Sequence, residues 1–261
     1  MNPALWVAKT GLDAQQTRLQ IVSNNLANAS TTGFKKDRAV FEDLMYQNAR
    51  QPGAQATQDT TLPSGLMLGT GVRVAASQKM HIQGSVITTG NALDISIQGD
   101  GFFQVLRPNG DIAYTRDGSF QVDEQGRMVT SDGLLLDPGI TFPENTISIT
   151  VGTDGTVSAL EPGNTTPSNV GTIETASFIN PSGLMPIGDN QFLESVASGA
   201  PGTGIPGEDS RGHLLQGSLE SSNVNTVEEL VNLIETQRTF EMNSKSLSTA
   251  DQMLQYLAQN T

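Results

Sequence analysis

Two helical seams at the ends of the chain, separated by a middle with a period of two, constrain this sequence more than any other feature. From residue 1 to about 29, Leu5, Ala8, Leu12, Gln15, Leu19, Val22 and Leu26 recur three and four apart, the spacing of a coiled-coil-like seam. Asn25, Asn28 and the Ser30-Thr31-Thr32-Gly33 turn predict its end, because Asn and Gly tolerate the left-handed backbone that closes a helix. A second helix is predicted over about 227 to 258, with Leu230, Leu233, Gln237, Phe240, Ser244, Leu247, Ala250, Leu254 and Leu257 on one stripe. Thr226 and Glu229 read as a capping box at its start. Val227, Val231, Ile234 and Met253 fall partly off the stripe, so this helix has more apolar surface than one partner covers. A lone helix of ~25 residues is marginal in water, so both ends need partners. Seam spacing does not say whether those partners lie in one chain or several.

Between the ends the pattern alternates, as in Leu93-Asp94-Ile95-Ser96-Ile97, Ser119-Phe120-Gln121-Val122 and Ile147-Ser148-Ile149-Thr150-Val151. Asn109-Gly110, Asp117-Gly118, Asp132-Gly133 and Asp154-Gly155 supply the positive φ angles of tight hairpins. The expected fold class is α+β. An N-terminal helix spans 1–29, an extended segment 30–70, an antiparallel β-rich middle 71–222 and a C-terminal helix 223–261. Gln51 to Gly65 and Ser198 to Gly207 read as loops.

Charge excludes some partners. The formal charge is −13, and no Lys or Arg occurs between Arg127 and Arg211, so nucleic acid and anionic membrane surfaces would be repelled. No apolar run is long enough for a membrane span, and the first residues lack the charged-then-apolar order of a secretory signal peptide.

Catalytic and metal chemistry find little footing. The chain has no Cys, and its two histidines, His81 and His213, stand apart. Neither GxSxG nor GxxxxGK[ST] occurs, and Gly99-Asp100-Gly101 lacks the acidic spacing of a calcium loop. Asp123-Glu124 and Glu208-Asp209 could be proposed as the carboxylates of a secreted carbohydrate-active enzyme, but their loop-like neighbours favour polar turns. No catalytic, cofactor or metal residue is therefore expected. The candidate sites are an assembly seam, made of Leu5, Leu12, Leu19, Val22, Leu26, Leu230, Leu233, Phe240, Leu247, Leu254 and Leu257.

Ser23-Asn24-Asn25-Leu26-Ala27-Asn28, followed by Thr32-Gly33-Phe34-Lys35, resembles the N-terminal signature of the flagellar basal-body rod and hook family. Gly99-Asp100-Gly101-Phe102-Phe103 and Tyr114-Thr115-Arg116-Asp117-Gly118-Ser119-Phe120 are similar to its β-domain motifs. Ser222-Asn223-Val224-Asn225 and Gln237 to Lys245 are similar to its C-terminal signature, with Phe240 where many relatives have Tyr. The stretch from Tyr46 to Val72, with Pro52, Gly53, Pro63 and Gly65, resembles the segment that marks the distal-rod branch rather than the proximal rod or hook paralogues.

That resemblance implies a non-enzymatic subunit of a rigid tube that transmits torque from motor to hook. It would be exported by the flagellar type III apparatus without a cleaved signal peptide. It implies contacts with further copies of the chain, proximal rod proteins, the hook protein and the P-ring and L-ring proteins. The helices would line the tube, the β-rich domain would lie outside, and the 46–72 segment would fill contacts between subunits.

Overall fold

A computed structural model of the chain describes residues 3–53, 55–57, 60–61, 63–163 and 166–259. Helix α1 runs over Pro3–Ala27 and helix α2 over Thr226–Gln259, and strands fill the sequence between them. The architecture is the α+β one expected. The residues sort into two compact units. One holds α1, Asp37–Gln78 and α2; the other holds Asn28–Lys36 and Lys79–Val224.

In the first unit, Asp37–Gln78 is a nested ribbon. Its strands are β1 (Asp37–Asp43), β2 (Gln47–Arg50), β3 (Gln55–Thr57), β4 (Thr60–Thr61), β5 (Leu66–Leu68) and β6 (Val72–Lys79). β1 pairs with β6, β2 with β5 and β3 with β4. The Leu44 amide donates to Gly71 O at 2.9 Å, and the Arg73 guanidinium meets the Glu42 carboxylate at 2.8 Å. The loop expected over Gln51 to Gly65 therefore gives way to β3 and β4; residues 54, 58, 59 and 62 lie outside the described residues. β3 and β4 pair through their backbones, and the polar residues here carry none of the apolar alternation by which a strand is recognised.

The second unit is built on a nine-stranded sheet with Phe102–Leu106 near its centre, hydrogen-bonded to Leu135–Asp137 and Ile112–Thr115 and also to Thr175–Ser177. Successive side chains on a strand point to opposite faces, so Phe102 and Phe103 serve two cores. Phe103 packs edge-on against Phe120 at 5.1 Å, among Ile95, Ile97, Met128 and Leu136. Phe102 joins Tyr114, Ala176, Leu184 and Phe192. Val157 and Ala159, from a separate three-stranded sheet, complete the first core.

Gly110, Gly133 and Gly155 have the positive φ predicted for their turns. Gly118 does not. A Cβ there would collide with the Ile95 carbonyl oxygen, so glycine serves close strand contact at this position rather than turn geometry. The loop expected over Ser198 to Gly207 contains a strand, Gly202–Gly204, paired with Thr175–Ser177. Backbone groups make that pairing, so a Gly-Thr-Gly sequence suffices. The Asp123 carboxylate is held by the Gln125 and Arg127 amides and the Arg127 side chain, and Asp209 sits at φ 47° beside Arg211. Both acidic pairs thus sit in turns.

Candidate assembly site

The helix pair of the first unit is antiparallel. Asn25 of α1 meets Glu229 of α2, Arg18 meets Glu235, and Gly11 faces Asn243. At Gly11 a Cβ would lie 3.2 Å from Nδ2 of the Asn243 side chain, so glycine leaves room for that side chain against α1. The face of α2 that turns inward carries Glu229, Leu233, Thr236, Asn243, Leu247 and Ala250, with Glu229 and Thr236 buried. Small and polar side chains let the helices approach; leucine or phenylalanine at every step would hold them apart.

This inward line differs by about one position from the stripe read in the sequence. Leu233, Leu247 and Ala250 are shared, whereas Leu230 (45% exposed), Gln237, Phe240 (39% exposed) and Ser244 face outward. On α1, Val22 is buried and Leu5, Leu12, Leu19 and Leu26 are half-buried. The side chains of Leu254 and Leu257 lie outside the described residues. Val227, Leu230, Val231 and Ile234 together form an exposed apolar strip at helical spacing, continued by Met242. Met45, Tyr46, Leu66, Met67 and Leu68 are exposed on the ribbon of the same unit. Of the remaining segment residues, Pro52, Gly53 and Pro63 are exposed and Gly65 is half-buried.

Two caps differ from the reading of the sequence. Asn25 does not close α1 but lies within it, buried, and clamps a strand. Its amide nitrogen donates to Asp37 O at 2.9 Å, and its oxygen accepts from the Asp37 amide at 2.9 Å. At α2, Asn225 is the N-cap, accepting from the amides of Val227 and Glu228 at 3.1 and 3.4 Å. The capping box of Thr226 and Glu229 is not formed, because the Glu229 carboxylate turns inward to Asn25.

In the second unit, residues that follow α1 and precede α2 in sequence meet at one buried carboxylate. Glu220 accepts from Lys35 Nζ at 2.7 Å, from the Gly84 amide at 2.8 Å and from Arg116 Nη1 at 3.2 Å. All three ionised side chains are buried, Lys35 to 1% exposure. Lys35 also donates to Ile82 O and Arg116 to Gly99 O, while the buried Arg116 Nε finds no hydrogen-bond partner among the described residues. Burial lowers the Lys35 ammonium below its usual range, and the Glu220 charge offsets part of that pull.

Gly33, at φ 67°, makes the node possible. Its amide donates to Glu220 O, and a Cβ would lie 2.7 Å from the Asp117 amide nitrogen. Asn223 completes the join, accepting from the Lys36 amide and donating to Met80 O and Ile82 O. Next to this node, His81 packs edge-on to Phe102 and Phe192 at 5.5 and 5.4 Å. Burial, followed by the Lys35, Arg116 and Lys79 charges, pushes its pKa down to about 4.

The sequence marks Asn25 as a helix end rather than a clamp, and gives Lys35, Arg116, Glu220 and Asn223 no individual role. They stand within or beside the quoted family motifs, but separations of up to 185 residues leave no periodic signal that links them. Among the described residues, no group of three or more His, Asp and Glu is placed to hold a metal ion, and no helix is long and apolar enough to cross a membrane.

Three segments match known families. Residues 5–35 match the flagella basal body rod protein family, 96–159 the flagellar hook protein FlgE/F/G D1 domain, and 215–260 the flagellar basal body rod FlgEFG protein C-terminal family. The chain is 52% identical to the flagellar basal-body rod protein FlgG of Buchnera aphidicola subsp. Acyrthosiphon pisum, over 99% of this chain and 100% of that one. It is 46% identical to the FlgG of Borreliella burgdorferi over 97% of both. The chain belongs to the flagellar basal-body rod protein family. The chain is also 36% identical to the flagellar basal-body rod protein FlgF of Caulobacter vibrioides, over 97% of this chain and 95% of that one. The first and third matched segments hold the motifs of this rod protein family that supply Asn25 and Lys35 on one side and Glu220 and Asn223 on the other.

Proposed function

We propose that the chain is the structural subunit of the flagellar distal rod, polymerising through its terminal helices into a rigid hollow shaft that transmits torque from motor to hook. The observation that carries this reading is the apolar strip of Val227, Leu230, Val231 and Ile234, which the helix pair leaves facing water while it buries Glu229 and Thr236 instead. Each such side chain gains ~1.5–3 kcal/mol when fully buried, so the strip strongly favours association. Contacts that repeat without closing into a ring build helical filaments. The rod names carried by full-length relatives support the same conclusion.

On this reading the subunit is non-enzymatic. The half-buried and exposed seam residues Leu5, Leu12, Leu19, Leu26, Leu230 and Phe240 complete their packing against other copies, as do Leu254 and Leu257. The helices line the tube and the β-rich unit, with Lys79–Val224, lies outside. The ribbon bearing Tyr46, Pro52, Gly53, Pro63 and Gly65 fills contacts between neighbours. Proximal rod proteins, the hook protein, the P-ring and L-ring proteins and the type III export apparatus are its further partners.

Val231→Lys with Ile234→Lys tests this. Both positions are exposed in the single chain, so circular dichroism and thermal midpoint should stay unchanged. A bacterium lacking its own distal-rod subunit should regain rods and swimming with the unsubstituted chain and not with this variant. Normal rods from the variant would refute the role of the strip.

A further inference from the structure

In the second unit, Met185–Gly188 and Gln191–Leu193 form an antiparallel hairpin with Met185 opposite Leu193 and Gly188 opposite Gln191. Its two ends carry complementary shapes. Beyond the Met185/Leu193 end, two loops are stapled back to back. Asn180 Nδ2 donates to Ala197 O at 3.0 Å, Ser195 Oγ donates to Gly183 O at 2.5 Å, and Ser198 Oγ accepts from the Ser195 amide at 2.9 Å. A Cβ on Gly183 would lie 2.6 Å from the Ala197 backbone, so the loops are pressed together. What this scaffold presents is Ile179, 97% exposed, and Val196, wholly in water. At the turn end lies a hollow of about 200 Å³ lined by Phe34, Lys79, Pro186, Asp189 and Phe192. The Lys79 ammonium lies 5.1 Å from the centre of the Phe34 ring.

We propose that the Ile179/Val196 knob of one copy seats in the Phe34/Phe192 hollow of the next copy. A network of side-chain hydrogen bonds that fixes two branched aliphatic groups in water has no use in a solitary chain, whereas it removes the ordering cost of an apolar contact. Charge selects the occupant. From residue 128 to 210 there is no Lys or Arg, so contacts between these units are generally repulsive. At this contact the exposed Glu194, two residues before the knob, is brought to the hollow that holds Lys79.

Knob and hollow lie beyond opposite ends of one hairpin, whose paired residues alone span ~7–10 Å, and cannot meet within a chain. The contact is therefore head-to-tail and repeats along an open assembly. It rests on the reading of the chain as a polymerising subunit and adds to the helical contacts one that runs through the β-rich unit.

The chain has no cysteine, so two can be placed cleanly. Val196→Cys and Asp189→Cys are combined in one chain and expressed in a bacterium lacking its own distal-rod subunit. Basal bodies are then oxidised and run on a non-reducing gel. Because a disulfide needs Cα atoms within ~7 Å, a ladder of linked multimers is expected from the double variant, and monomer alone from each single variant. Swimming cells that yield only monomer would overturn the contact and leave the assigned function standing. Val196→Asp in the same strain should cut the fraction of swimming cells at least ~10-fold while the purified chain keeps its thermal midpoint; full swimming would also overturn the contact. If the unsubstituted chain built no rods, the assigned function would fall and the contact with it.

Discussion

Replacing Glu220 by Gln removes one negative charge and little else. In the native chain that carboxylate is shared by Lys35 at 2.7 Å and Arg116 at 3.2 Å, all three side chains being buried. Glutamine keeps the shape and one oxygen to accept from the Gly84 amide, but it leaves two buried cations without a counter-ion. Stranding a buried charge costs ~3–5 kcal/mol, a large fraction of the ~5–15 kcal/mol that holds a domain together. With a urea slope of ~2–3 kcal/mol per molar, the midpoint of the β-rich unit should fall by ~1.5 M.

Lys35→Met should cost less, because Arg116 and Glu220 remain a one-to-one pair. The double variant should fall short of the sum of the singles by at least ~1 kcal/mol, since the groups share one contact. Glu220→Gln should also recover stability toward alkaline pH. Lys35 binds its proton more weakly folded than unfolded, so between its lowered folded value and the unfolded ~10.4 the unfolded chain holds more protons, and stability rises as pH climbs through that window. Urea melts at several pH values check both claims. A Glu220→Gln loss under ~1 kcal/mol, or additive singles, would refute the reasoning.

Two further outcomes follow from burial and from capping. His81, held at about 4 against an ordinary 6.5, contributes fully above pH 6.5, and its contribution of ~3 kcal/mol is lost as pH falls toward 4; His81→Phe should flatten that part of a thermal-midpoint profile, and an unchanged slope would place the acid sensitivity elsewhere. Asn225→Ala should cost ~1 kcal/mol through loss of the α2 cap, measured by denaturant titration, whereas Thr226→Ala should cost clearly less; the reverse order would restore the capping box.

Local periodicity was enough to place α1, α2 and the alternating strands such as Ser148–Val151, because each pattern repeats within one or two turns or along one strand. The same holds for the positive φ at Gly110, Gly133 and Gly155, which the preceding Asn or Asp announces. It failed where backbone pairing or close approach decides. β3, β4 and Gly202–Gly204 carry no apolar alternation, and Gly118 is required by the Ile95 carbonyl rather than by its own turn.

The sequence by itself determined the element types, the acidic middle and the surplus of apolar surface on α2, since these depend on near neighbours and composition. Tertiary structure alone decided which line of α2 faces α1, that Asn25 clamps Asp37 and not its own helix end, and that Lys35, Arg116 and Glu220 share one buried site. Such pairings are between residues far apart in the chain. They are selected by how closely two backbones approach and by the need of every buried charge for a partner, neither of which leaves a mark in local spacing.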